Sequence, residues 1–231
     1  MASKSVSSRP HPRLYLALPA LDDPSPWLKS LPGLLKAEDI AAVLVRLKRS
    51  DPRSMISRVK ALAPAIQNSG AALLLDGEAE LVARSGADGA HLTGIAAMQE
   101  ALPTLKPDRI AGVGGLATRH ESMAAGEAGA DYVLFGEPDA QGGRPSQDAI
   151  AERLQWWAEL FEPPCVGYAA SREEVDAFVL AGADFILVDD LVWSDARGPA
   201  AALADIGAAI SRTFESARGT HQGETGPVPA R

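Results

Sequence analysis

Two hydrophobic periods take turns along this chain. Short, nearly continuous apolar runs occur at 13–18 (RLYLAL), 41–46 (AAVLVR), 71–75 (AALLL), 89–92 (GAHL), 110–114 (IAGVG), 132–135 (YVLF), 165–168 (CVGY) and 185–188 (FILV). Runs of this length and character predict strands of a parallel sheet covered by helices. Between them lie amphipathic stretches with helical spacing, near 26–36, 53–68, 78–85, 95–102, 119–128, 148–161, 172–181 and 199–214. Strand and helix alternate without a break.

Three helix-to-strand junctions are written almost alike: SGADGAHL from Ser85, AGADYVLF from Ala128 and AGADFILV from Ala181. KAEDIAAVLV, from Lys36, is a fainter copy. The glycine of each junction suits the residue just past a helix end, where the left-handed conformation is needed. Gly86, Gly129 and Gly182 are therefore expected at positive φ, at the opposite end of the fold from any active site. Evenly repeated helix–turn–strand units predict a single (β/α)8 barrel over 13–214. The rival is an open doubly wound sheet, but the chain lacks a G-x-G-x-x-G opening and its spacing does not change.

Composition narrows the partners. The chain has 231 residues, 46% of them apolar, and a net charge of −8. That charge argues against nucleic acid and against an anionic membrane surface. No apolar run approaches a membrane span. The start, MASKSVSSRPHPR, lacks the apolar core of a secretory signal, and the single Cys165 fits a reducing cytoplasm. Residues 1–12 and 215–231 are polar, punctuated by Pro and Gly, and are expected to be loose tails.

In a barrel the chemistry sits just after each strand. Arg46 and Lys48 lie two apart at the end of the second strand and share a face. They suit an anionic ligand or, equally, a salt bridge to Asp76 or a neighbouring carboxylate. His91 ends the fourth strand as a site residue or as a packed, hydrogen-bonded core histidine. Asp189 and Asp190 follow the eighth strand and either face the site or cap the next helix. His120 reads as a solvated helix end, Cys165 as core, and Trp193 as an aromatic near the mouth.

The order of these segments resembles the thiamine phosphate synthase and thiazole tautomerase family. VLVRLK from Val43 is similar to that family's V-Q-L-R-x-K, matching at Arg46 and Lys48, with Leu44 at the Gln position. DGEAELV, GADGAHLTGIA and GADYVLFGE resemble its segments around the third, fourth and sixth strands. The resemblance implies the joining of a hydroxymethylpyrimidine pyrophosphate to a thiazole phosphate, with loss of pyrophosphate. It implies Arg46 and Lys48 as catalytic cations and Asp76, His91, Gly136, Arg144 and Asp189 around the substrates. It also implies magnesium, but the two matching carboxylate positions are Gly77 and Ala96. The tautomerase's base position is Ala117, in Gly115–Leu116–Ala117. The pyrophosphate loop has become PDAQGGR, and the paired phosphate-cradling glycines are Ala169 and Ala170.

Three functions stay open on these grounds. One is a synthase with weakened or altered activity, with Arg144 as a compensating cation. Another is a non-catalytic barrel that binds a small ligand or a partner. The third is an isomerase-like relative with a relocated base. The expected ligand is a small molecule, a pyrimidine or thiazole phosphate.

Overall fold

The computed structural model describes residues 9–223. Its strands are β1 (Arg13–Ala17), β2 (Ile40–Val45), β3 (Ala72–Asp76), β4 (Gly89–Thr93), β5 (Ile110–Gly114), β6 (Tyr132–Phe135), β7 (Cys165–Ala169) and β8 (Phe185–Val188). They are joined by α1 (Ser25–Ala37), α2 (Pro52–Gln67), α3 (Val82–Ser85, entered through a 3-10 turn), α4 (Ile95–Leu105), α5 (Arg119–Glu127), α6 (Gln147–Leu160) and α7 (Arg172–Ala181). After β8 come α8 (Asp190–Trp193) and α9 (Pro199–Gly223). Every strand pairs in parallel with its neighbours, and β8 closes on β1. The sheet is a closed barrel, and the open-sheet alternative falls.

Two details differ from the sequence reading. The short α8 is additional; one helical turn carries no periodicity to detect. The last helix runs past 214 to Gly223, so the expected loose tail from 215 begins as helix. Residues 9–12, also expected to be loose, pack against the barrel floor: His11 meets Phe214 edge-on at 5.1 Å. The Arg9 guanidinium occupies the space where Gly182 has no side chain. The rest of both expected tails, 1–8 and 224–231, lies outside the described residues. Among the described residues no helix is long and apolar enough to cross a membrane.

Local chemistry starts the helices where the pattern places them. Asp51, Ser146 and Ser171 cap α2, α6 and α7 by accepting a backbone N–H three residues on. Thr118 and Glu121 form a reciprocal capping box on α5. Gly86, Gly129 and Gly182 have φ of 80°, 100° and 93°, as the repeat requires.

The aspartate of the repeat has a separate task. The Asp88 N–H donates to Leu73 O while the Asp88 carboxylate accepts the Leu73 N–H at 2.7 Å. Asp131 makes the same two-way link to Ala111, and Asp184 to Cys165. Each link ties the start of an even strand to the start of the odd strand before it, so β3–β4, β5–β6 and β7–β8 are clamped at the floor. In the fainter copy, Asp39 gives its carboxylate to the Arg13 side chain instead. The β1–β2 pair it precedes shows a register shift between Leu14 and Tyr15.

The strand alternation sends Tyr15, Leu44, Leu74, Tyr132, Leu134, Val166, Tyr168 and Leu187 into the barrel interior. The hydroxyls of Tyr15 and Tyr132 meet at 3.0 Å in its centre. Space for the Tyr132 ring comes from Gly112 on β5, where a Cβ would fall 1.9 Å from Tyr132 Cζ.

Two outcomes follow from this frame. Asp184→Ala strands the Cys165 N–H and is expected to cost about 1–3 kcal/mol in urea unfolding, the range for an orphaned buried donor. Asp39→Ala removes only an exposed ion pair and is expected to cost less than about 1 kcal/mol. Equal losses would show that the clamps do not bear on stability.

The chain has three tyrosines, and burial raises the pKa of Tyr15, Tyr132 and, less completely enclosed, Tyr168. The folded state thus holds phenol protons that the unfolded state releases near pH ~10. Stability from these groups is complete below that pH and is lost as pH rises above it. In an alkaline titration followed by tyrosinate absorbance, Tyr15 and Tyr132 should ionise only as circular dichroism reports unfolding. Ionisation of all three near pH ~10 in a folded protein would contradict their burial.

Candidate functional site

The inward alternation continues past the strand ends. Two residues beyond Leu44, Leu74 and Leu187 stand Arg46, Asp76 and Asp189, and they converge at the C-terminal mouth of the barrel. Arg46 Nε donates to Asp76 Oδ2 at 3.1 Å, and Arg46 Nη1 is bonded to Asp189 Oδ2. Asp189 is only 7% exposed. It stands at the start of α8, but its side chain caps none of that helix's amides; only its backbone carbonyl accepts, from the Val192 and Trp193 N–H groups. Burial works against the charge on Arg46, yet the Asp189 and Asp76 carboxylates outweigh it and raise the Arg46 pKa. One guanidinium therefore faces two carboxylates.

A second cluster lies after β6 and β7. Arg144 Nε donates to Gly136 O, Nη2 donates to Tyr168 O, and both terminal nitrogens reach the Glu174 carboxylate at 3.2 and 3.0 Å. Glu174 Oε2 also accepts the Ala170 N–H at 2.7 Å. In the PDAQGGR loop, Asp139 Oδ1 accepts the N–H groups of Gln141 and Gly143. Backbone and guanidinium donors at the mouth are thus occupied by carboxylates of the chain itself.

The third cluster runs from the interior to the mouth. His91 is 2% exposed, with Nδ1 3.0 Å from the Tyr132 hydroxyl and Nε2 3.1 Å from Glu137 Oε2. A carboxylate only accepts, so the tautomer that fits has His91 Nε2 donating to Glu137, with Nδ1 left to take the Tyr132 O–H. Tyr15, Tyr132, His91 and Glu137 form one continuous polar chain. Glu137 fits because β5 ends in glycine: a Cβ on Gly114 would fall 2.3 Å from Glu137 Oε1. That oxygen is enclosed and has no hydrogen-bond partner among the described residues. Glu137 lines a cleft of about 630 Å³ between the ends of β5 and β6 and the start of α6.

The sequence-derived site residues are distributed among these clusters. Arg46, Asp76 and Asp189 meet; Arg144 and Gly136 meet in the second cluster and line the cleft; His91 belongs to the third. Lys48 does not join Arg46: its ammonium lies 3.7 Å from Asp22 at the exposed rim. Trp193 donates its indole N–H to Ala17 O and packs edge-on against Trp27. Cys165 is buried, and burial pushes its thiol pKa up.

Magnesium needs several oxygen ligands in near-octahedral array. Gly77 and Ala96 offer no side-chain donor, and Asp76 is committed to Arg46. Among the described residues no three His, Cys, Asp or Glu side chains gather to hold a metal. The residues present do not fit the ion.

Sequence reasoning missed Tyr15, Tyr132, Glu137 and Glu174. A signal for two of them was present. Gly112 and Gly114 occupy consecutive inward positions on β5, leaving a vacancy that larger side chains from β6 and its loop must fill. Glu174 carried no such signal, because its first-turn position on α7 suits any exposed helix start.

Comparison with known proteins agrees with the geometry at the level of the fold and the whole chain. A family model described as thiamine monophosphate synthase matches residues 14–190. The thiamine-phosphate synthase of Rhodospirillum centenum is 40% identical over 196 residues, covering 84% of this chain and 95% of that protein. That of Hyphomonas neptunium is 36% identical over 223 residues, covering 92% and 98%. Among solved structures, the thiamine phosphate pyrophosphorylase from Pyrococcus furiosus superposes with a TM-score of 0.67 at 21% identity, over 89% of this chain and 96% of that one. The orotidine 5'-phosphate decarboxylase from Pyrococcus horikoshii has the same barrel, with a TM-score of 0.61 at 14% identity, over 86% and 99%. The structural likenesses speak for the barrel alone, whereas the match along the sequence goes further: this chain belongs to the thiamine monophosphate synthase family.

Proposed function

We propose that this protein is a synthase-type barrel of thiamine biosynthesis whose joining of a hydroxymethylpyrimidine pyrophosphate to a thiazole phosphate is weakened or altered. The names of its relatives support the reaction class. The observation that carries the weakening is Arg46, held between Asp76 and Asp189. Departure of pyrophosphate requires cationic charge that is free to meet it. Here the central cation is already neutralised, and Glu174 and Asp139 occupy nearby donors. A phosphate oxygen about 4 Å from the Asp189 carboxylate would meet repulsion of about 4 kcal/mol at an effective dielectric of about 20. A cytoplasmic location belongs to the same proposal, supported by the biosynthetic relatives.

A second reading has its own observation. The His91–Glu137 pair is a hydrogen-bonded couple that joins His91, a site position the resemblance implies, to Glu137, a residue to which it gives no role. It suits the isomerase-like alternative, with Glu137 as the relocated base.

Turnover of the two phosphorylated precursors is expected at least about 100-fold below the ordinary enzyme median of about 10 per second, with or without added magnesium. An ordinary rate would refute the weakening. Asp189→Asn frees one face of Arg46 without changing its shape. Calorimetry should then show pyrophosphate affinity rising about tenfold or more over the unsubstituted protein. Unchanged affinity would mean that Asp189 does not hold the anion site closed.

A further inference from the structure

We propose that Tyr168 is a specificity-determining residue: its ring divides the mouth in two and excludes any molecule long enough to need both halves, the joined pyrimidine–thiazole product first of all. The inference deepens the synthase reading and rests on it. Tyr168 is the last inward-facing residue of β7, and β7 lies between β6 and β8. Towards β8 it pairs with Leu187, one inward step below Asp189. Towards β6 its ring lies under the Arg144 guanidinium, whose carbon is 5.1 Å from the ring centre. Burial, and after it the Asp189 carboxylate, raises the Tyr168 pKa, while Arg46 opposes them. The phenol therefore lies within the field of the Arg46 cluster on one side and against Arg144 on the other.

The two halves do not run together. Phe135, Gly136 and Arg144 help to line the cleft of about 630 Å³, whereas none of Arg46, Asp76 and Asp189 lines it. Joining two rings needs the halves to be continuous, because the second ring must come within about 3–3.5 Å of the carbon that pyrophosphate leaves. A side chain set against the longer molecule discriminates without touching the shorter one. Tyr168 is 8% exposed, so its ring is packed in place. Arg144 does not depend on that ring for its position: it bonds to the Gly136 and Tyr168 carbonyls and to Glu174. The volume at Tyr168 can therefore be changed while the charges around it stay. Truncating a packed side chain leaves a cavity, since its neighbours relax only in part, and here that cavity is the missing passage.

The test is a size series in the full chain: Tyr168→Phe, Tyr168→Leu and Tyr168→Ala. The probes are thiamine, which has both rings, and hydroxyethylthiazole, which has one. Neither carries phosphate, so repulsion at Asp189 does not enter. Affinities are read from amide chemical shifts at Gly136 and Ala169. Tyr168→Leu and Tyr168→Ala should bind thiamine about tenfold or more tighter than the unsubstituted protein, a ratio within what pocket shape alone supplies. Thiamine affinity in Tyr168→Phe, which keeps the ring, and one-ring affinity in every variant should change by less than about threefold. Tyr168→Leu keeps an apolar side chain in the packed position, so it carries the test if circular dichroism shows that Tyr168→Ala does not fold. No gain for thiamine in Tyr168→Leu, an equal gain in Tyr168→Phe, or an equal gain for the one-ring probe would overturn the proposal. An ordinary turnover rate in the unsubstituted protein would overturn it together with the weakened-synthase reading. A flat size series beside low turnover overturns the partition alone, and unchanged pyrophosphate affinity in Asp189→Asn counts against the weakening alone.

Discussion

Two-way aspartate links at the barrel floor hold the strand register on which the mouth depends. In a sheet with period two, a slip of one residue sends every inward side chain outward. Arg46, Asp76 and Asp189 reach the mouth because the residues two places below them, Leu44, Leu74 and Leu187, also face inward. The clamps from Asp88, Asp131 and Asp184 fix that phase where β3–β4, β5–β6 and β7–β8 begin, and so for the strands that carry Asp76 and Asp189. The β1–β2 pair supports the point by contrast. Its aspartate turns to Arg13, and its pairing is the irregular one.

Glycine on β5 makes the second constraint. A barrel interior has a fixed volume to fill, so small residues on one strand require large ones opposite. Gly112 admits the Tyr132 ring, and Gly114 admits the Glu137 carboxylate. The vacancies make the polar chain from Tyr15 to Glu137 possible: without them His91 would have neither partner. His91, which reads in the sequence as either core or site, is 2% exposed and hydrogen-bonded at both ring nitrogens, as the core reading expects, and one of its partners, Glu137, lines the cleft.

Much of this was legible in the chain. Periodicity located all eight strands to within about a residue, because nearly continuous apolar runs bounded by helical stretches leave little choice. The glycines of the repeat were legible because a left-handed helix end admits few alternatives. The aspartates of the same repeat were not, since their task is a bond to a strand some fifteen to twenty residues earlier. The mouth divided in the same way. Arg46, Asp76 and Asp189 follow from alternation along single strands. The pairing of Arg144 with Glu174 joins two loops whose meeting depends on how the barrel closes.

The family's motif losses, taken singly, would each remove one contact. Their placement in space gives a stronger conclusion. Carboxylates of the chain itself stand at the Arg46 and Arg144 guanidiniums and at the Ala170, Gln141 and Gly143 amides, so these donors are already satisfied from within. Restoring a glycine or a metal ligand would leave those internal anions in place. An incoming phosphate would have to displace a covalently tethered competitor whose effective concentration is high. The proposed weakening therefore rests on the sign of the local field more than on the loss of any particular residue.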